Sequence, residues 1–250
     1  MLSSGIMQRA FVETIVLGLA CGPLGVWILL LKRSYAAESL SHAMLPGLVI
    51  AALAGLPLIF GAAAGVLVAA ILISVVRGDV GVAVVVSGLF GLGGILALSP
   101  ETPPRLGELL FGDLLGVTDQ DLIAAVVLSL GVLVALAFAY RSLAVAGFEQ
   151  RGGRADLALL AILGVTTVAA VQGLGNLLLV ALILAPAAAA LNLANRLPQM
   201  LSLAAALAVI AGVAGLVISY ELEIAAGASI ALCAVALSSL GMLKPKLGMP

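Results

Sequence analysis

From Val80 to Leu98 the chain reads VGVAVVVSGLFGLGGILAL, with no charged side chain, and runs of this kind recur from one end to the other. A helix rises 1.5 Å per residue, so about 30 Å of hydrocarbon takes roughly 20 apolar residues to cross. Nine segments approach that length: 10–31, 37–56, 59–76, 80–98, 122–140, 157–172, 175–191, 200–219 and 224–243. Hydrophobic residues make up 64% of the 250 and charged ones 9%, with a mean hydropathy of +1.32. Soluble domains carry roughly 25% charged residues, and one domain of this size has too little interior to hide so much apolar surface. The solvent is lipid. There each span must satisfy its own backbone polar groups, which leaves helices or a closed barrel, and the period-two alternation of a barrel is missing. The expected fold is an all-α polytopic membrane protein, one domain over 1–250. Its nine spans lie within a range of eight to ten, because a Gly-rich break at Gly173–Asn176 separates two short ones.

Two loops interrupt the pattern. Residues 100–121 are Pro-rich, then briefly apolar, then acidic, which suggests an outer loop with a short re-entrant or interfacial helix; 142–156 reads as a cytoplasmic loop. With nine spans and the N-terminus outside, all of the 11 Lys and Arg residues except Arg9 and Arg105 fall on one side. By the positive-inside rule that side is cytoplasmic and carries the C-terminus. The first apolar run is long enough for an uncleaved span rather than a signal peptide. A bacterial inner-membrane, multi-pass location follows from the family resemblance below. Small residues spaced four apart (Gly18/Gly22, Gly61/Gly65, Gly112/Gly116) would let helix backbones approach closely. Cys21 and Cys233 sit in apolar runs as small hydrophobic fillers.

Several chemistries are excluded. No GxxxxGK[ST] loop exists, so the chain does not hydrolyse nucleotide in the P-loop manner. A single histidine rules out an HExxH site. The net charge of −1 offers no field for nucleic acid. The chain is not expected to be an enzyme or to hold a permanent cofactor.

What remains is the segment ESLSHAMLPG, Glu38 to Gly47. At i and i+4, Glu38 and the lone His42 leave one helix face about 5–6 Å apart at Cβ. A carboxylate and an imidazole so placed can clamp a zinc or manganese ion; a plain Glu–His hydrogen bond at a helix start has the same spacing. Pro46 cannot donate to the His42 carbonyl, and Gly47 follows, so the turn is weakened there. Further on, an apolar span runs into Pro186, an alanine-rich stretch with Asn192, Asn195 and Arg196, and then Pro198. High alanine propensity predicts a short helix bounded by prolines within 187–199, which is either a span end or a docking helix for a cytoplasmic partner.

Three stretches in order, over essentially the whole chain, resemble the permease subunits of bacterial ABC importers for zinc and manganese. Glu38–Gly47 is similar to that family's D-A-x-S-H-A-x-L-P-G. LLFGDLLGVT (Leu109–Thr118), followed by Asp121, resembles its outer segment. GNLLLVALILAPAAAALNL resembles its G-x-L-L-V-x-A-L-L-x-x-P-A-A-x-A. The resemblance implies a type II importer-like fold and a second permease copy, with a homodimer the simplest pairing. It also implies two cytoplasmic ABC ATPase subunits and an extracytoplasmic metal-binding protein. Glu38 and His42 then map onto the acid–histidine pair that meets the transported zinc or manganese. Pro186, Asn192, Asn195 and Arg196 become candidates for ATPase coupling. The chain departs from the family in two places: Glu38 replaces the usual aspartate, and AGFEQRGGRAD (Ala146–Asp156) keeps only Phe148 and Glu149 of a cytoplasmic F-D-x-x-x-A-x-x-x-G pattern. The competing reading is an ATP-independent secondary cation carrier or channel.

Overall fold

The computed structural model describes residues 5–76, 78–100, 119–149, 154–174 and 176–242. Ten helices occupy them: α1 (Gly5–Leu30), α2 (Ser34–Ala43), α3 (Leu45–Leu53), α4 (Leu58–Val75), α5 (Gly78–Ala97), α6 (Asp119–Glu149), α7 (Arg154–Leu174), α8 (Asn176–Leu193), α9 (Leu197–Leu222) and α10 (Ala226–Met242). Taken together, α2 and α3 form one broken span, Ser34–Leu53. Five segments are long and apolar enough to cross a bilayer, and four shorter apolar helices accompany them. All nine sequence-derived spans therefore coincide with helical segments, the all-α polytopic architecture expected.

The ends differ from expectation in two places. Helix α6 continues to Glu149 and α7 starts at Arg154, so most of the anticipated 142–156 loop is helical. SLAVAG carries good helix formers, and Arg141, though charged, is exposed at the helix surface. Nor do residues 187–199 form a separate short helix. Helix α8 runs through Pro186 to Leu193, a turn spans 194–196, and α9 opens at Leu197 with Pro198 in its first turn. Proline deletes one rung, but the flanking alanines and leucines carry the helix across it. The outer-loop expectation at 100–121 and the Gly112/Gly116 pair fall almost wholly outside the described residues.

Helix α1 is the hub. It packs on α6, α8 and α9, and most of it is buried, with Val12, Ile15 and Leu19 left as one exposed strip. Trp27 is buried and meets Tyr140 of α6 edge-to-face, with centroids 5.5 Å apart. Helices α8, α9 and α10 pack on one another behind it, while α2 to α5 form a second group. Near the opposite ends of α1 and α6, Arg9 and Asp119 pair at 2.8 Å. Leu98, Phe138 and Val80 are among many large apolar side chains left open, as a lipid-facing surface requires. Cys21 is buried and Cys233 half-buried.

Lipid tails are as apolar as leucine, so helices here associate through close packing. At Gly22 a Cβ would come within 2.5 Å of the Ala204 backbone in α9. Gly47 and Gly61 meet backbone to backbone where α3 crosses α4, and a Cβ on Gly65 would stand 2.8 Å from the Met44 Cα. The Gly18/Gly22 and Gly61/Gly65 spacings thus mark real close approaches. By contrast, nothing lies within 4 Å of a Cβ at Gly88. Gly61→Ala is expected to destabilise the detergent-solubilised protein by about 1–3 kcal/mol through overpacking. Gly88→Ala should be neutral or stabilise it by up to about 1 kcal/mol through helix propensity. Thermal unfolding of the two variants side by side checks the contrast.

Candidate functional site

The link from α1 to α2 reverses the chain tightly. Lys32 takes a left-handed conformation (φ 56), and the Arg33 N–H donates back to the Ile28 carbonyl at 2.8 Å. This 6→1 bond is the Schellman closure, made here without glycine. Helix α2 then starts under a second constraint. The Arg33 guanidinium grips Asp156 of α7 with two N–H donors, Nε standing 2.8 Å from Oδ1 and NH2 bonding Oδ2. Such a fork fixes orientation as well as distance.

From that anchor α2 presents two faces. Ala36, Ala37, Ser39, Leu40 and Ala43 are buried against the bundle, while Tyr35 and Glu38 are exposed and His42 is half-buried. The i, i+4 spacing therefore does set Glu38 and His42 on one outward face. His42 lies edge-to-face against Phe90 of α5, with ring centroids 5.5 Å apart and planes at 85°. Among the described residues no group of three or more His, Cys, Asp and Glu could hold a metal ion. One copy of the chain thus offers the acid and the imidazole as a pair.

Just beyond His42 the helix breaks. Pro46 has no N–H to send back to His42; Met44 sits at the junction (φ −76, ψ −14) and turns its own N–H toward the His42 carbonyl. The anticipated weak turn is a true division between α2 and α3. Three glycines clamp it: Gly61 and Gly65 from α4, and Gly93 from α5, where a Cβ would stand 2.9 Å from the Pro46 nitrogen. Helix α5 thus contributes twice, Phe90 against the imidazole and Gly93 against the proline. Neither stood out in the sequence, because both lie in an unbroken apolar run. Its remaining surface is largely open; Val80, Val84 and Ile95 are 79%, 68% and 71% exposed.

The other candidates lie elsewhere. Pro186 is buried inside α8, Asn192 is half-buried in its last turn, and Asn195 and Arg196 are exposed in the turn to α9. If each span crosses once, that turn shares a side with the Arg33–Asp156 pair.

Residues 3–244 match the family described as ABC 3 transport family. The "Manganese transport system membrane protein MntC" of Halalkalibacterium halodurans is 34% identical, over 99% of this chain and 90% of its own length. The "Manganese import system permease protein ScaB" of Streptococcus parasanguinis is 32% identical, over 90% of this chain and 86% of its own. Among solved structures, "PsaBC from Streptococcus pneumoniae in complex with Fab" superposes with a TM-score of 0.85 at 29% identity, covering 98% of this chain and 94% of that one.

The ion pair at the base of α2 has a measurable weight. Asp156→Ala removes the fork and frees the α1–α2 link; with hydrogen bonds to charged groups contributing about 1.5–3 kcal/mol, a loss near the lower end is expected because Arg33 is 43% exposed. Chemical unfolding in mild detergent gives the number.

Proposed function

The chain belongs to the ABC 3 transport family, metal ABC transporter permeases, and from that premise we propose that it is the membrane-spanning permease subunit of an ATP-driven importer of divalent transition-metal ions. Manganese is the leading cargo, since the relatives above are named for manganese, with zinc the second; oxygen and imidazole donors suit both. ATP would be hydrolysed by separate cytoplasmic ABC ATPase subunits, and an extracytoplasmic metal-binding protein would hand over the ion.

One observation carries the reading. Glu38 and His42 share the outward face of a broken helix, beside the open surface of α5. A second copy of the chain set against this surface would turn that face into a passage and double the donors, two acids and two imidazoles. A tight zinc site takes four ligands, whereas a conducting site must also release its ion. A shared, adjustable set of donors suits passage. In this reading the edge contact with Phe90 orients the imidazole, and the break at Met44 would let α2 move against α3.

Coupling would enter from the side that carries the α8–α9 turn. Asn195 and Arg196 are exposed there for contact with an ATPase, and Asn192 backs them. The buried Pro186 weakens α8 one to two turns above. In this arrangement the N-terminus lies outside and the C-terminus in the cytoplasm, in the bacterial inner membrane.

Reconstitution with the partner ATPase and radioactive manganese tests the proposal. His42→Ala is expected to cut ATP-dependent uptake by at least about tenfold, since losing even an outer-shell partner of a metal ligand costs about 10–100-fold, while co-purification with the ATPase stays intact. Glu38→Asp, which restores the family residue, should retain uptake. Wild-type uptake by the His42→Ala protein would remove the ligand role, and equal flux from the lone chain without ATPase would favour the carrier or channel reading.

A further inference from the structure

On another part of the bundle, α4 and α7 enclose a groove of about 830 Å³. None of its lining comes from α5, and neither Glu38 nor His42 takes part. The two helices touch at its floor, where a Cβ on Gly164 would lie 2.9 Å from a Val66 methyl. Above that contact they splay. Ile59 and Leu67 on one wall and Leu157 and Val165 on the other are all exposed. Along α4 the lining runs from Ile59 to Ile73, about 20 Å, or most of the way through a hydrocarbon core of about 30 Å.

One end of the groove differs in character from the rest. It is closed by Arg33 and Asp156. The Asp156 fork takes two of the five N–H donors a guanidinium carries, and the Arg33 side chain is still 43% exposed. Lys32, next to it, is exposed as well. The lining's own charges pair off, and Lys32, one residue before Arg33, adds a second cation close by.

We propose that the groove is a binding site for one anionic phospholipid. Its acyl chain lies along α4 and α7, and its phosphate meets the Arg33 guanidinium, with the charge of the adjacent Lys32 adding to the attraction. A chain in a bilayer cannot leave such a groove empty, because its walls would forfeit their dispersion contacts, and hydrocarbon is the available filler. The charged mouth then selects the headgroup, as basic pockets between membrane helices do. A phosphate pairs with a guanidinium through charge-assisted hydrogen bonds while staying hydrated. A second copy of the chain would instead seal the Arg33–Asp156 pair under protein and add its desolvation cost. Because Arg33 immediately precedes α2, the bound lipid would also steady the base of the helix that carries Glu38 and His42.

Native mass spectrometry of the full chain, delipidated in detergent, tests this with phosphatidylglycerol and phosphatidylcholine of identical acyl chains. The wild type is expected to retain the anionic lipid about tenfold better, a preference of electrostatic size. Ala161→Trp adds bulk at an exposed groove position and should remove most retention of both lipids without changing the thermal midpoint. Lys32→Gln should reduce the headgroup preference and leave phosphatidylcholine unaffected. Should the tryptophan variant fail to accumulate, Ala63→Phe on the facing helix makes the same test. Equal retention of the two lipids by the wild type overturns the proposal, as does undiminished phosphatidylglycerol binding when the groove is filled. A groove-filling variant that turns a lipid-free dimer into a monomer would assign the surface to a second copy instead.

Discussion

Pro46 deletes a backbone hydrogen bond inside hydrocarbon, where no water stands ready to replace it. The surrounding helices are arranged around that loss. Met44 turns its N–H toward the His42 carbonyl, and glycines of α4 and α5 bring two neighbouring backbones against the break. A larger residue at any of these glycines would push its helix away and open the weakened turn to lipid. The break therefore persists because three helices agree on it, and it sets where α2 ends and which way His42 faces.

That arrangement divides the bundle into two packing groups. Helix α1 is largely buried and ties α6, α8 and α9 together. Its glycines meet α9 at backbone distance, and Trp27 interlocks with Tyr140. Around α2 to α5 the surface is more open: α5 keeps most of its apolar surface exposed, while α2 is buried along one face and tied at its base to α7 by the Arg33–Asp156 pair. A transporter that must expose a site to one side and then the other needs a firm frame and a movable part. Here the acid and the imidazole lie on the half of the broken span that precedes the junction at Met44.

Much of this was legible from residue order. Each span could be located because hydrocarbon thickness sets a length, and the Glu38–His42 pair could be placed on one face because a helix repeats every 3.6 residues. The helix ends were less legible. Residues 142–149 were read as part of a cytoplasmic loop, yet a helix can extend past the membrane surface with no apolar requirement at all. Pro186 was read as a boundary, and it is a buried interior position of α8, since its neighbours supply the packing that one missing rung does not cancel. Phe90 and Gly93 carried no local signal. Their roles arise only because α5 lies across the break.

Residue order by itself determined that the chain is a bundle of membrane helices, with its one imidazole a turn from a carboxylate and just ahead of a proline. These are consequences of hydropathy, of helical period and of a missing N–H, all of which act within a few residues. Only the tertiary structure decided that Phe90 meets His42 edge-to-face, that Asp156 anchors Arg33, and that α4 and α7 splay into a groove closed at one end by that ion pair. Each of those joins residues far apart in the chain, and in lipid such pairings are set by how closely backbones fit, a property of surfaces that no local pattern encodes.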